Sequence, residues 1–583
     1  MNTVADRVGS ASTSKNGLDG KSQKPSASAA HSHRDDTGES WMHGLGLQGM
    51  STPWVLAFAL IALLQVLSLL AMPIVYDTKH LPDTLFLLNE SWRVSLGLRP
   101  GVDFGSFYGG LAAQIVAFSF KLFGPSVRAL DIAPLLQLAA VLPLAVVVMY
   151  RRCGAFTFMA MLALLTTCLL TRTPLEGLVA VSDLASAHSF SYNRVGLACS
   201  LILLLLVLLP PQSARSFELL AGAAGGIALA LALMSKWSFL LLAPGVLLAL
   251  GLQRRYAAIV SLVVGTLACW MALDPLGQQF FGSAAYTAAA ARAESMFGGM
   301  GGAVHKAVLL LVWQPWALLV LGIALVTSMR VLPAPARWIW LVSAALMTMA
   351  IGATLVVMGS FRILGHQVLP VIAALVIAAM EKSKDPGRGS IVTQKLLSGL
   401  LLLAFLLPHL TNSILVTAAG FRNRAQVLLP EGPMKGYLQR HASGRALLDR
   451  DAVLAEAAAR LARVGTVETE LQYPVFVDGV LALQRLGDLS DRAIVSDGSF
   501  NFEFALGARP VVGYPLWARL LSPEITASNQ LPGGVDIVMT LPHDVGPFAK
   551  LLKERMGTQF RSCIKTEIWE IFIRKDEIMS ACE

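Results

Sequence analysis

The chain has 583 residues, a formal net charge of +9 and a mean hydropathy of +0.62, with 55% hydrophobic and only 14% charged residues. A water-soluble protein of this length carries nearer a quarter charged residues, so the composition excludes an ordinary soluble enzyme. The excess positive charge does not call for nucleic acid, because basic loops facing an anionic membrane leaflet account for it.

Residues 1–50 are polar and rich in Ser and Gly, without the apolar core of a signal peptide. They read as a disordered cytoplasmic tail. Apolar runs of membrane length follow, each matching a hydrocarbon layer about 30 Å thick. Roughly, they cover 53–75, 128–150, 154–171, 195–211, 217–235, 238–253, 257–273, 306–328, 337–358, 363–380 and 395–419. The expected fold is therefore an all-α polytopic membrane protein of about eleven transmembrane helices. With the N-terminus inside, the inner connections hold Arg151-Arg152, Arg215, Arg254-Arg255, Arg330 with Arg337, and Lys382, Lys384 and Arg388. That distribution obeys the positive-inside rule and sets the orientation.

The segment 107–123 is apolar but short and contains Gln114 and Lys121. It is expected to lie in the outer interface as an amphipathic helix, with a twelve-span count as the alternative. The long first outer loop, 76–127, collects Asp77, Asp83, Glu90, Trp92, Arg93, Asp103 and Tyr108. Past residue 421 the pattern changes: an Ala-rich helix over 451–463 precedes the β-type runs YPVFV, AIVSD, VDIVMTL and EIWEIFIR. A small extramembrane α/β domain over 422–583 is expected, outside the membrane. In it, Asp478-Gly479, Asp497-Gly498 and Asn501 read as turn residues, and Cys563 and Cys582 are within reach of a bridge.

Asp77 directly follows the first span, so its carboxylate lies at the outer surface. Partial desolvation there favours a general base, while the plainer alternative is a helix-end carboxylate. The order of an acid after the first span, then Gly97–Gly109 (GLRPGVDFGSFYG), a helix ending in Leu122–Gly124 and Arg128 opening the next span resembles the GT-C superfamily of membrane glycosyltransferases. The resemblance is to its branch of protein mannosyltransferases and aminoarabinose transferases. It implies a sugar donor on a polyprenyl phosphate and a lipid, glycan or protein acceptor on the outer face. It also implies a first-loop carboxylate as base, placed on Asp77, with inversion at the anomeric carbon. Thr78 stands where many relatives carry a second acid. Asp103 is the competing carboxylate, with capping of the next helix as its structural alternative.

Lys236 ends a Gly/Ala-rich span, where the resemblance places the lipid phosphate and snorkelling to headgroups is the alternative. Arg362 and His366 begin the tenth span at the same face and suit a phosphate. Glu90, Tyr108, Tyr192, Asn193 and Arg194 are the candidate sugar or acceptor contacts, although Tyr and Arg also serve as interfacial anchors. No HExxH, CxxC or P-loop is present, and His80 near Asp77 and Asp83 makes no recognisable metal motif. No cofactor is implied, and a divalent metal has no ligand motif to support it. The chain is expected in a bacterial inner membrane with its C-terminus periplasmic. A transporter would place ionisable groups at mid-membrane, where this chain has few. A polysaccharide polymerase or ligase shares the lipid-linked substrate and stands as the remaining alternative.

Overall fold

The computed structural model describes residues 53–77, 81–106, 109–170, 191–211, 214–282, 334–357, 388–424, 431–439, 450–464, 471–496, 500–513, 534–541 and 558–576, with a few isolated positions. The first half contains α1 (Pro53–Leu70), β1 (Val75–Asp77), α2 (Leu81–Ser95), α3 (Leu111–Phe123), α4 (Ala129–Met149), α5 (Ala155–Leu170) and α6 (Ser191–Leu208). Then come α7 (Arg215–Ser235), a 3₁₀ turn (Trp237–Leu241), α8 (Leu242–Leu252), α9 (Tyr256–Leu273), α10 (Ala334–Val357) and α11 (Arg388–Arg422). Among the described residues, six helices are long and apolar enough to cross a membrane, within α1, α4, α7, α9, α10 and α11. Helices α5, α6 and α8 are shorter and equally apolar. The protein is an integral membrane protein. Of the expected spans, 306–328 lies outside the described residues, as does nearly all of 363–380.

Helix α6 is the centre of the bundle. From Tyr192 to Leu209 every residue is buried, as expected of a helix apolar on all sides. The peripheral helices differ: α1 turns Leu56, Leu60, Leu63, Leu67 and Leu70 outward while Val55, Phe58, Ile61 and Leu69 face the core. That helical spacing separates a lipid face from a protein face. Gln65 lies on the protein face, and its side-chain oxygen accepts a 3.0 Å hydrogen bond from Thr167 of α5. Helices α7 and α9 meet through small residues. A Cβ on Gly226 would overlap the Leu262 carbonyl, one on Gly222 the Ser261 side chain, and one on Gly265 the Ala223 carbonyl. The spacing Gly222–Gly226 is the small-xxx-small pattern that lets membrane helices approach closely.

The C-terminal end of α6 leaves its last carbonyls without helical partners, as every helix does. Two arginines satisfy them. Arg152 donates to the carbonyls of Leu206, Leu209 and Pro210 at 3.0, 2.9 and 2.7 Å. Arg255 donates to the Leu206 carbonyl at 2.6 Å and pairs with Glu218 at 2.5 Å. The arginine pairs at 151–152 and 254–255 are thus split alike. Arg151 and Arg254 take a left-handed backbone and stay exposed, while Arg152 and Arg255 turn inward.

The C-terminal region adds β2 (Tyr437–Gln439), α12 (Arg450–Val464), α13 (Gln472–Gln484), β3 (Ile494–Ser496), α14 (Glu503–Leu506), β4 (Ile537–Thr540), β5 (Phe560–Lys565) and β6 (Glu570–Arg574). Its sheet runs β3-β4-β6-β5, parallel between β3 and β4 and antiparallel elsewhere. Three of the four β-type runs form strands, and the bridge between Cys563 and Cys582 is formed. The run YPVFV is the exception: it lies inside α13. Pro474 is tolerated in the first turn of that helix, and residues 473–480 are all buried. Tertiary burial there outweighs the β preference of Val, Tyr and Phe. Asp478-Gly479 accordingly lies in a helix and not in a turn, with Asp478 accepting a 2.7 Å hydrogen bond from Thr566.

Replacing Gly226 by Val should separate α7 from α9 and lower the thermal midpoint in detergent or lipid. Gly251→Ala, where an added Cβ meets nothing within 4 Å, should hold or raise it. Thermal unfolding of the two variants side by side checks this.

Candidate functional site

Four parts of the chain converge where the N-terminal end of α6 meets the C-terminal end of α7. The first is the loop from Gly97 to Gly110. A Cβ on Gly109 would collide with the Met234 carbonyl, and the Gly109 N–H donates to the Ser235 carbonyl at 3.1 Å. The Gly109 end of the sequence motif is therefore seated on the last turn of α7. Gly110 then starts α3 with a φ of 75°, a left-handed conformation that glycine adopts without strain. Helix α3 spans 13 residues, about 20 Å, too short to cross the hydrocarbon layer. Its Phe118, Leu122 and Phe123 are exposed while Ala112, Ala113, Val116 and Phe120 are buried, consistent with a helix in the interface.

Lys236 follows α7 immediately as its C-cap, in an extended conformation. A cation is favourable beside the negative end of a helix. Its Nζ stands 5.4 Å from the centroid of the Tyr192 ring, a cation–π arrangement. One turn along, Gly196 of α6 lies against the Phe239 ring, so closely that a Cβ would overlap it. Tyr192, Asn193 and Arg194 are all buried in the first turn of α6. Neither amide atom of Asn193 has a hydrogen-bond partner among the described residues, and the same holds for the Ser238 hydroxyl and the Trp237 indole N–H. Buried polar groups in proteins are nearly always satisfied, so this junction is short of partners.

The third part is the segment after α9. A Cβ on Gly282 would strike the Gly101 carbonyl. Arg99 bonds Gln278 at 3.1 Å, and Gln114 of α3 bonds Gln279. Asp274 closes the segment by accepting the Phe280 N–H at 3.0 Å.

The fourth part is the C-terminal region, which holds the first outer loop at two places. Strand β1 pairs in parallel with β2, placing Asp77 opposite Gln439. The Val127 N–H donates to the Pro433 carbonyl at 2.8 Å, and Arg128 bonds the Met72 carbonyl and lies 3.6 Å from Asp131. At the second place, α2 docks on α14. Arg93 pairs with Glu503 at 2.6 Å, both fully buried, and its guanidinium lies 5.3 Å from the Phe104 ring centroid. Asn89 donates to the Asn501 carbonyl at 3.2 Å and accepts the Phe504 N–H at 2.8 Å. Trp92 donates to the Ala508 carbonyl at 2.9 Å.

Two first-loop carboxylates, Asp103 and Glu90, differ in state. Asp103 accepts the Arg99 backbone N–H at 2.7 Å and its guanidinium at 3.3 Å. Those bonds hold its carboxyl below the usual range, so it is ionised at neutral pH. It closes its own turn and does not cap α3, whose N-cap is Gly110. Glu90 is only 1% exposed. Burial raises its pKa to about 7, opposed by a hydrogen bond from Ser106 and by the Arg93 charge. Its Oε1 has no partner among the described residues.

The structure thus brings Lys236, Tyr192, Asn193 and Arg194 together and seats the Gly109 end of the motif beside them. Asp77 is placed through its backbone on β1. Tyr108, Arg362, His366 and His80 lie outside the described residues. Among those described, no group of three or more His, Cys, Asp or Glu is arranged to hold a metal ion. Sequence reasoning missed Asn89, Ser106 and the pairing of Arg93 with Glu503. Those two residues are 410 positions apart, and no local pattern marks either as a partner.

No protein-family profile matches the chain, and no curated protein resembles it significantly in sequence. Among solved structures it is similar to ArnT from Cupriavidus metallidurans bound to undecaprenyl phosphate, with 13% identity, 91% of this chain and 99% of that chain covered, and a TM-score of 0.41. It is also similar to the same protein in the apo state, with 15% identity, 90% and 98% covered, and a TM-score of 0.43. The functional reading rests on the motifs and on the site geometry.

Because Glu90 binds its proton more tightly folded than unfolded, its neutral form stabilises the fold at low pH. That contribution is complete below about pH 4.5 and is lost as pH rises through about 7. The span is roughly 3 kcal/mol. Thermal midpoints measured from pH 4 to 8 should therefore fall with rising pH more steeply in the wild type than in Glu90→Gln.

Proposed function

We propose that this protein is a membrane glycosyltransferase that moves a sugar from a polyprenyl-phosphate donor to a lipid, glycan or protein acceptor at the outer membrane face. The observation that carries the reading is the seating of Gly109 on the last turn of α7, which brings the first-loop motif against Lys236. A lysine at a helix C-terminus, with unpartnered buried donors on Trp237, Ser238 and Asn193 around it, suits an anionic head group presented from the lipid.

The reaction assigned to this site is a single displacement. Asp77 takes the proton of the acceptor hydroxyl, whose oxygen attacks the anomeric carbon as the bond from that carbon to the phosphate oxygen breaks. The electron pair leaves with the lipid phosphate, and configuration inverts. Lys236, with Arg362 and His366, offsets the charge on the departing phosphate. Tyr192, Asn193, Arg194, Tyr108 and Glu90 are the candidate sugar and acceptor contacts. Pairing of β1 with β2 supports the assignment of Asp77, since it limits the backbone freedom of that residue at the membrane surface.

In this reading the C-terminal region faces the periplasm of a bacterial inner membrane, and residues 1–50 face the cytoplasm. The Cys563–Cys582 bridge favours that orientation, because disulfides persist in oxidising compartments.

Purified protein in lipid should transfer sugar from polyprenyl-phosphate donors. Asp77→Asn should lose activity by about 10²- to 10⁴-fold, the usual contribution of a general base, with donor binding retained. Transfer unaffected by that substitution would move the base elsewhere. Absence of transfer with every donor tried would reject the reading.

A further inference from the structure

The C-terminal region has no catalytic role in the reaction above, yet it makes buried polar contacts with α2 that a passive cover does not need. Glu503 lies on α14, a helix of four residues, and its carboxylate forks onto Arg93 through Nε at 2.9 Å and Nη2 at 2.6 Å. Arg93 in turn lies over Phe104 and acts electrostatically on Glu90. Glu90 accepts from Ser106. From Ser106 the chain runs three residues to Gly109, on the Ser235 carbonyl next to Lys236. The Asp103 carbonyl receives the Gly513 N–H at 2.9 Å, a further tie between the same loop and the C-terminal region.

We propose that Glu503 is a positioning residue for the Lys236 site: by pairing with Arg93 it seats Glu90 and Ser106, and so holds the loop whose Gly109 end lies on the last turn of α7. The proposal rests on the glycosyltransferase reading for what the site does. Among the described residues the charged groups around Glu90 are few. On its own helix there are Arg93 and, two turns earlier, Asp83. The following loop carries the Arg99–Asp103 pair, which closes on itself. Helix α3 carries Lys121, exposed in its last turn. From α13, Asp478 is bonded to Thr566. From α14, Glu503 faces Arg93. Among the described residues, Arg93 is the charge that acts on Glu90, against the larger effect of burial, and Glu503 pairs with Arg93.

This arrangement makes two substitutions act in opposite directions. Glu503→Gln leaves the Arg93 charge uncompensated, which favours ionised Glu90 and moves its titration to lower pH by roughly one unit. The double variant Arg93→Met with Glu503→Met removes both charges and leaves the volume filled, a replacement that buried ion pairs often tolerate. It takes away the stabilising cation, so the titration moves to higher pH.

The experiment is the pH dependence of kcat/KM for sugar transfer in wild type, both variants and Glu90→Gln. The expected result is one limb of the profile that moves down in Glu503→Gln, moves up in the double variant and is absent in Glu90→Gln. Glu218→Gln, which breaks the buried pair at the inner face, should lower the thermal midpoint without moving that limb. A merely structural Glu503 would reduce activity with no shift, or shift both variants alike, and either result overturns the proposal. The pH dependence of the thermal midpoint of the same proteins needs no activity. If wild type transfers no sugar but the midpoints shift in opposite directions, the coupling stands and the glycosyltransferase reading fails. If the midpoints do not shift, the coupling itself fails.

Discussion

The structure is organised around a helix that has no polar face. Because α6 is buried on every side and mostly apolar, its ends carry most of its free hydrogen-bonding groups. At its C-terminal end the surplus carbonyls face a low-dielectric interior, and Arg152 and Arg255 are drawn in to satisfy them. Each arginine inserts from a turn whose preceding arginine adopts a left-handed backbone. At its N-terminal end, Tyr192 meets Lys236 where α7 stops. The C-terminal end of the central helix is held by two inserted arginines, whereas near the N-terminal end Asn193 has no hydrogen-bond partner among the described residues.

The stretch from Gly97 to Ser106 reaches this site without a helix or strand of its own to guide it. Glycines supply the approach: Gly109 lies on the end of α7, and the Gly101 carbonyl meets Gly282 in the segment after α9. Rigidity comes from the C-terminal region, through the β1–β2 pairing and the buried polar face of α2. A buried ion pair contributes little net stability relative to apolar packing, but removing one partner is costly. Arg93–Glu503 is therefore better understood as a device for register than as a source of stability. It makes α2 dock on α14 in one way.

Several features were legible in the residues themselves. The outward leucines of α1, the Gly/Ala spacing of α7, and strands β3, β4 and β6 follow from local composition and periodicity. The shortness of α3, with its Gln and Lys, was legible as well. The helix over 472–484 was misjudged because its Val, Tyr and Phe favour a strand locally, while stacking of Phe476 on Phe502 and the Trp569 bond to the Val475 carbonyl favour a helix. In the site, the resemblance pointed to Lys236 and the Gly97–Gly109 motif, and Gly109 lies on the Ser235 carbonyl, one residue before Lys236. It gave no indication that Glu90 is buried or that Asp103 is tied to its own turn.

The sequence by itself determined that the chain enters a bilayer, because about 20 apolar residues in a row have no other stable location. It also determined which loops are basic and where the chain leaves the membrane for a mixed α/β region, since those are properties of composition along the chain. Only the tertiary structure decided which arginine of each pair turns inward, which carboxylate is desolvated and which of 583 residues faces Arg93. Those outcomes depend on contacts between segments hundreds of residues apart, and the free energy of such a contact is written in neither partner alone.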